Sequence, residues 1–371
     1  MGIYEDLGVR PVINALGTNT RYGGSLMSPE VLETMREASQ QFCLLDELHE
    51  KAGEKIADML DVEAAYVTSC AASGLVITTA ACMTGIDPDK IRQLPDTRGL
   101  RNEVIIQRRH RIAYDQAIRL TGAKLIEIDD NEKAPVAAMK AAINDQTVAI
   151  FYLGKEINHP HSVPFDQVIE MAHTASVSVI VDAASECPPL STLTRYTKAG
   201  ADLVIFSGGK SLSGPQSTGL LLGRKNLIQA CAANGTPFAT VGRPMKVSRE
   251  EIIAFIKALA LYLARDHEAD IVRWRGKIRY VRDALAKVPH INMEERVDSD
   301  TYIVPKLIIH LHPEGGLTGE KVIKALLDGE PRIVVGGDDL TDGFTINPHN
   351  LQSGQEQIVA ARCKAVLTAQ G

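Results

Sequence analysis

Two residues in this sequence carry chemistry that a structural role does not explain, Lys210 and Asp182. Lys210 follows an apolar run, Leu203 to Phe206, and the small residues Ser207, Gly208 and Gly209. Ser211 to Gly214, Pro215 and Gly219 then turn the chain before a second apolar run, Leu220 to Leu222. A lysine held at a strand end among small residues has room for a bulky group on its amine. The chemistry that needs such a lysine is a Schiff base, with a carbonyl substrate or with pyridoxal phosphate (PLP). A lone GGK would be a solvated lysine in a glycine-rich hairpin, but the stretch VSVIVDAASE at 177–186 changes the reading. It predicts a buried strand with Asp182 at its carboxyl end, which is where open α/β sheets bind ligands. PLP requires an acidic partner that keeps its ring nitrogen protonated. Asp182 and Lys210 end successive strands, so they are expected to meet one cofactor from opposite sides, with Ser207, Ala184 and Ser185 beside it.

These residues must be positioned by the elements around them. Strand-like KLIEI, TVAIFYL, VSVIVDA and ADLVIFS alternate with helical segments at 135–143, 165–175 and 193–199. That rhythm implies a mainly parallel sheet covered by helices on both faces. Earlier, the strand Ala64 to Thr68 runs into the small-residue turn Ser69 to Gly74, with a helix expected from Leu75 to Met83. Amides at a helix start, with small residues letting an anion approach, form a phosphate site; Ala72, Ser73 and Gly74 are its expected members. After the strand Glu103 to Gln107 come Arg108, Arg109, His110 and Arg111. His110 is the candidate to stack on the cofactor ring, and Arg111 a candidate for an anionic substrate. His49, within the amphipathic helix 46–60, reads as a surface histidine. His159 and His161 lack a carboxylate or cysteine at ligand spacing, so no metal site is expected.

At the lysine the chain resembles a known group. SGGKSLSGPQSTGLLLG matches S-G-x-K-x-L-x-G-P-Q followed by an apolar strand ending in glycine, through Ser207, Gly208, Lys210, Leu212, Gly214, Pro215 and Gln216. The pattern is similar to the PLP-lysine segment of the selenium transferase-like group of fold-type I PLP enzymes. That group includes L-seryl-tRNA(Sec) selenium transferases and D-glucosaminate-6-phosphate ammonia-lyase. The resemblance is sharp at 177–223 and extends more loosely over most of the chain, with Gly242, Arg243 and Lys246 at the transition to a smaller domain. It implies an α/β fold of type I: a large domain with a mainly parallel sheet and a small α+β C-terminal domain. The expected division is 1–45 as an N-terminal arm and helix, 46–245 as the large PLP-binding domain, and 246–371 as the small domain. A long helix from Arg249 to about Val288 is expected to break near Gly276. The resemblance also brings the polar loop of the N-terminal arm, with Asn14, Thr18, Thr20 and Arg21, toward substrate. Arg332, at the start of an expected strand, is a candidate to pair bidentately with a substrate carboxylate, or else forms a rim salt bridge.

Composition excludes several classes. The chain has 371 residues, 45% of them hydrophobic, and a formal charge of -6 with no basic block. Nucleic-acid binding gains no support from that charge. Six cysteines without CxxC spacing read as reduced thiols of a cytoplasmic protein. No apolar run reaches membrane-spanning length. The bacterial selenium transferases carry an extra tRNA-gripping domain ahead of the segment PVINALGTNT, with which this sequence opens. The expected function is therefore that of the small-molecule branch, in a homodimer or higher homo-oligomer. It is a lyase performing α,β-elimination of ammonia from a 3-hydroxy amino acid or amino sugar acid such as D-glucosaminate 6-phosphate. The cations Arg21, Arg108, Arg109, Arg111, Arg243 and Arg332 are available for its carboxylate and phosphate. Aldol cleavage, racemisation, selenium transfer, and a non-catalytic binding protein on the same fold are the alternatives.

Overall fold

The computed structural model describes residues 2–129, 135–337, 340 and 342–369. They form two compact units, one of residues 27–264 and one joining the residues up to 26 with those from 265 onward. Strands are numbered along the chain. β1 (Val12–Ala15) belongs to the terminal unit. β2 (Ala64–Thr68), β3 (Glu103–Gln107), β4 (Lys124–Ile128), β5 (Thr147–Leu153), β6 (Ser178–Asp182), β7 (Leu203–Ser207) and β8 (Gly219–Gly223) form one seven-stranded sheet. Its order is β2-β8-β7-β6-β5-β3-β4. β8 is antiparallel to both neighbours, and the other pairs are parallel.

The apolar strands are continuous because both sheet faces are covered. Side chains alternate sides along a strand, so Ile150, Val179, Val181, Val204, Phe206, Leu220 and Leu222 enter one core. Phe151, Ile180, Leu203, Ile205 and Leu221 enter the other. The second core is covered by the helix Ala71–Thr84, which is buried along nearly its whole length. Gly74 brings that helix down onto the sheet: a Cβ there would lie 2.9 Å from Ile205 and 3.0 Å from Leu221.

Four expectations are corrected. The helix Arg249–Leu263 belongs to the sheet-bearing unit rather than to a small domain starting at 246. Its Ile252, Phe255, Leu259 and Tyr262 are packed with Val204, Phe206 and Leu220. The helix Pro29–Ala38, expected with the N-terminal arm, also joins this unit, because Val31 packs against Ala254 and Ala258. The break of the long helix falls at 264–266, where the Asp266 side chain accepts from Ala269 N and starts the helix His267–Leu285. Gly276 lies in the middle of that helix and its missing Cβ would meet open space. The buried stripe Trp274, Ile278, Val281 and Leu285 carries the helix through it. His49 is buried, stacked on Tyr66 with ring centroids 4.7 Å apart, because its helix turns that position toward β2.

The terminal unit holds β9 (Ile291–Arg296), β10 (Lys306–Leu311), β11 (Arg332–Val335) and β12 (Gly343–Ile346). β12-β10-β9 is antiparallel, and β1 pairs in parallel with β11. Asn350 Nδ2 donates to the carbonyls of Gly17 and Gly24, and Asn347 N donates to Ala15 O. These contacts fix the polar N-terminal loop within this unit.

Candidate active site

The carboxyl ends of β5, β6 and β7 lie in register, with Leu153 opposite Asp182 and Asp182 opposite Ile205. At the same end Ser207 pairs with Gly219, the first residue of β8, and Gly219 also pairs with Thr68 at the end of β2. Asp182, Ser207 and the turn after Thr68 are therefore set along one rim of the sheet. That is the expected location for ligand binding in an open α/β sheet.

Asp182 is buried, and Ala184 N donates to its Oδ1 at 2.9 Å. Burial pushes its carboxyl up; the Ala184 amide, the Lys210 ammonium and Lys155 oppose that rise. Burial lowers Lys210, and the Asp182 carboxylate works against the fall. Each residue thus registers the other's charge inside a desolvated rim. Lys155 stands in the short turn just after β5 and is a second cation toward Asp182.

The loop carrying Lys210 is folded tightly on itself. Gly208 N donates to Thr218 O at 2.8 Å, Gly214 N to Gly208 O at 2.9 Å, and Ser213 N to Lys210 O at 2.9 Å. A Cβ on Gly208 would overlap Thr218 Oγ1 and lie 2.9 Å from the Phe255 ring; on Gly209 it would strike the Gln216 backbone. The glycines are there because backbone and ring pack where a side chain would stand. Ser211 Oγ donates to Cys187 O at 2.6 Å, so the lysine loop is tied to the loop that follows Asp182. Glu186 in that second loop accepts from Tyr196 OH and lies against Gly154. Ser185 is exposed, while Ala184 and Ser207 are half-buried.

The helix start after β2 differs from expectation in its register. The helix begins at Ala71, four residues before Leu75, with Cys70 as its N-cap. Ser73 is its third residue, and its hydroxyl bonds Cys70 and Ser69 in a capping box. Gly74 N already donates to Cys70 O at 3.0 Å, and Gly74 serves packing against the sheet. The first-turn amides of Ala71 and Ala72 have no intrahelical acceptor by the geometry of a helix start, whereas that of Gly74 is already engaged. Cys70 gave no sequence signal, since cysteine is not a preferred cap. Gly219 admits this turn: a Cβ on it would sit 2.5 Å from the Cys70 carbonyl carbon.

His110 is fully enclosed and edge-on to Tyr152, with centroids 4.5 Å apart. Leu153 N donates to Nδ1 at 3.3 Å, which puts the proton on Nε2, 3.2 Å from Ser162 Oγ. Burial first, and Arg109 second, hold its pKa down at about 3, so the ring is neutral. Stacking on a cofactor requires some of these neighbours to move. Two of the expected substrate cations are engaged within the protein: Arg111 pairs with Asp115 and Glu127, and Arg108 with Glu127 and Asp129. They form an ion-pair network at the end of β3 and β4, which corrects the reading of both as surplus charge. Arg109 contacts His159.

Asn14, Thr18, Thr20, Arg21 and Arg332 belong to the terminal unit. Asn14 Oδ1 accepts from Leu16 N and Gly17 N, so its side chain closes its own turn. Arg332 Nε donates to Leu327 O at 3.1 Å. Arg21 is exposed.

The residues of the rim fit PLP. A desolvated amine and a buried carboxylate face one another electrostatically, and a helix start with amides and small side chains lies along the same rim. Among the described residues no cluster has the ligands for a metal ion.

Comparison with known proteins agrees with this geometry. The model of the class-V aminotransferase family matches residues 34–247. The chain is 30% identical to a D-glucosaminate-6-phosphate ammonia lyase of Salmonella typhimurium, over 98% of this chain and 97% of that one. It is 29% identical to a 5'-C-glycyluridine monooxygenase-decarboxylase of a Streptomyces species, over 99% and 92%. A solved structure of D-glucosaminate-6-phosphate ammonia-lyase superimposes with a TM-score of 0.86 at 29% identity, covering 100% of this chain and 99% of the other.

Proposed function

The chain belongs to the class-V aminotransferase family of fold-type I PLP enzymes, and from that premise we propose that it is an ammonia-lyase. The reaction is α,β-elimination on a 3-hydroxy amino acid or amino sugar acid such as D-glucosaminate 6-phosphate. The observation that carries the reading is the half-buried Lys210 amine and the buried Asp182 carboxylate, each shifted by the other's charge, in a chain similar from end to end to such a lyase.

PLP, when bound, supplies the sink for the electron pair left at the substrate's α-carbon. Lys210 holds the cofactor and then acts as the base at the α-proton. Burial favours its neutral, proton-accepting form. Asp182 keeps the ring nitrogen protonated; Ala184 N fixes the carboxylate's Oδ1, and Lys155 favours its charged form. The amides of Ala71 and Ala72 hold the phosphate at the helix start, with the Ser69–Ser73 hydroxyl pair beside them. Loss of the α-proton and of the 3-hydroxyl as water releases an enamine. It tautomerises and hydrolyses to a 2-keto-3-deoxy acid and ammonia, so the net conversion consumes no oxidant. The roles of Asn14, Thr18, Thr20 and Arg21 as substrate contacts are carried by the family resemblance, and that of Arg332 by the fit of a guanidinium to a carboxylate. The same reading makes the protein a cytoplasmic homo-oligomer, supported by its scattered cysteines and by the usual assembly of fold-type I enzymes.

The test is a panel of 3-hydroxy amino acids and amino sugar acids, assayed together for ammonia, keto acid and aldehyde. Equal ammonia and keto acid support elimination; aldehyde with glycine, or inverted amino acid alone, refutes it. Lys210→Ala is expected to abolish turnover and the visible absorbance of bound cofactor while the far-ultraviolet circular dichroism stays unchanged. The similarity to a monooxygenase-decarboxylase supports a second reading, oxidative decarboxylation. It predicts oxygen uptake and carbon dioxide release from an amino acid substrate, measured in the same vessels.

A further inference from the structure

Glu186 is a buried acid to which the proposed chemistry gives no part. It is 4% exposed, and the hydroxyl of Tyr196, itself wholly enclosed, donates to its Oε2. Taking a carboxylate out of water is unfavourable unless it is hydrogen-bonded, and a bond to a charged acceptor is among the strong ones. Burial first, and the Glu186 charge second, push the Tyr196 hydroxyl up, so it keeps its proton and remains a donor. Gly154 leaves the room for the pair: a Cβ there would overlap Glu186 Oε1 and lie 2.8 Å from Tyr196 OH.

The backbone joins this pair to Asp182. Ala183 N donates to Ile205 O at 2.9 Å, Ala184 N to Asp182 Oδ1 at 2.9 Å, and Glu186 N to Ala183 O at 3.1 Å. Cys187 follows with a φ of 73°, and its carbonyl accepts from Ser211 Oγ of the lysine loop. A residue other than glycine is strained in that conformation and persists only where its surroundings hold it. The Glu186 side chain on one side and the Ser211 hydroxyl on the other do so. Gly154 opens the turn Gly154–Glu156, whose Lys155 favours the charged form of Asp182, and Tyr196 comes from the helix Thr192–Lys198. One carboxylate thus ties the loop of Asp182 to the turn of Lys155 and to this helix.

We propose that Glu186 is a positioning residue for Asp182: held by Tyr196 over Gly154, it fixes the turn after β6 so that the Asp182 carboxylate keeps the place and direction that the cofactor's ring nitrogen requires. It acts through the backbone of 183–186 and not by its own charge. The inference rests on the reading that Asp182 meets that nitrogen, and adds what aims it.

The experiment compares the wild type with Glu186→Ala, Glu186→Gln, Tyr196→Phe, Asp182→Asn and Tyr196→Phe/Asp182→Asn. It reads the melting temperature, the dissociation constant of pyridoxal phosphate and the visible absorbance of the bound cofactor. Tyr196→Phe keeps the ring against Phe165 and removes only the donor. It and Glu186→Ala are expected to shift the visible band and to raise the dissociation constant about ten-fold or more, the effect of one hydrogen bond to a charged group. Glu186→Gln has the same shape and an acceptor for Tyr196, and is expected to stay within about three-fold of wild type. Because the pair acts through Asp182, the double variant is expected within about two-fold of Asp182→Asn alone. Variants that melt lower yet bind the cofactor with wild-type affinity and spectrum would overturn the inference in favour of a purely structural pair, as would losses that add in full in the double variant. Glu186→Gln as impaired as Glu186→Ala would overturn it in favour of a direct effect of the charge. Asp182→Asn with wild-type affinity and spectrum overturns the reading of Asp182 and this inference together. Asp182→Asn impaired beside an unaffected Tyr196→Phe overturns this inference alone.

Discussion

The closest packing in the loop of Lys210 is at Gly208, and substituting it tests whether that packing sets the position of the lysine. In Gly208→Ala the new methyl overlaps Thr218 Oγ1 and lies 2.9 Å from the Phe255 ring. Neither neighbour yields easily: Thr218 is wholly buried with its hydroxyl donating to Pro215 O at 2.6 Å, and Phe255 is fully enclosed in the core. Overpacking of this kind costs about 1–3 kcal/mol, and a lost buried hydrogen bond adds about 1 kcal/mol. The expected destabilisation is therefore about 2–4 kcal/mol. For a unit of this size each kcal/mol lowers Tm by about 2–4 °C, giving a fall of about 4–16 °C. Thermal melting followed by circular dichroism measures it, and the visible absorbance of bound cofactor reports the lysine. Thr218→Ala removes the obstructing oxygen, so the double variant Gly208→Ala/Thr218→Ala should lose at least 1 kcal/mol less than the two single changes added together. A Gly208→Ala protein that melts within 1 °C of wild type and keeps its absorbance would refute the argument.

Asp182→Asn is expected to retain part of the bound cofactor and to lose about 100-fold or more in kcat, read from an ammonia assay beside the absorbance spectrum; near-normal turnover would show that another carboxylate meets the ring nitrogen. Acid should destabilise the fold through His49, held by burial at about 4 against an ordinary 6.5. The unfolded chain takes up this proton first, so stability is lost as pH falls from 6.5 toward 4, by about 3 kcal/mol at pH 4. His49→Phe keeps the ring stack on Tyr66 and should remove that share of the acid limb in urea titrations at pH 7 and pH 4; an unchanged limb would place the loss at other groups, such as His110.

The burial that drives several of these effects was only partly legible in the sequence. The sheet was legible because strands buried on both faces read as uninterrupted apolar runs, as in TVAIFYL and ADLVIFS. Helix ends were less so. The helix at Ala71 starts on a cysteine, and the helix through Gly276 survives its glycine, because tertiary contacts outweigh local propensity at both places. The short strands Ile291–Arg296 and Gly343–Ile346 carry weak local patterns and are held by pairing with Lys306–Leu311.

The residue types behind the proposed chemistry can be read along the chain. A lysine after Ser-Gly-Gly and an aspartate closing the preceding strand are local facts, and strand ends in an α/β sheet fall on one rim by topology. Which charges are available depends on folding. Arg108 and Arg111 read as free cations along the chain, but residues 4–21 positions away supply the carboxylates that neutralise them. His49 has the sequence context of a surface residue, but the fold lays it on Tyr66. The limit between units moved from 245 to 264 for the same reason, since Phe255 packs into the sheet's core and against the lysine loop. Covalent spacing fixes residue types and strand ends, whereas pairing, burial and domain membership depend on neighbours that only folding brings together.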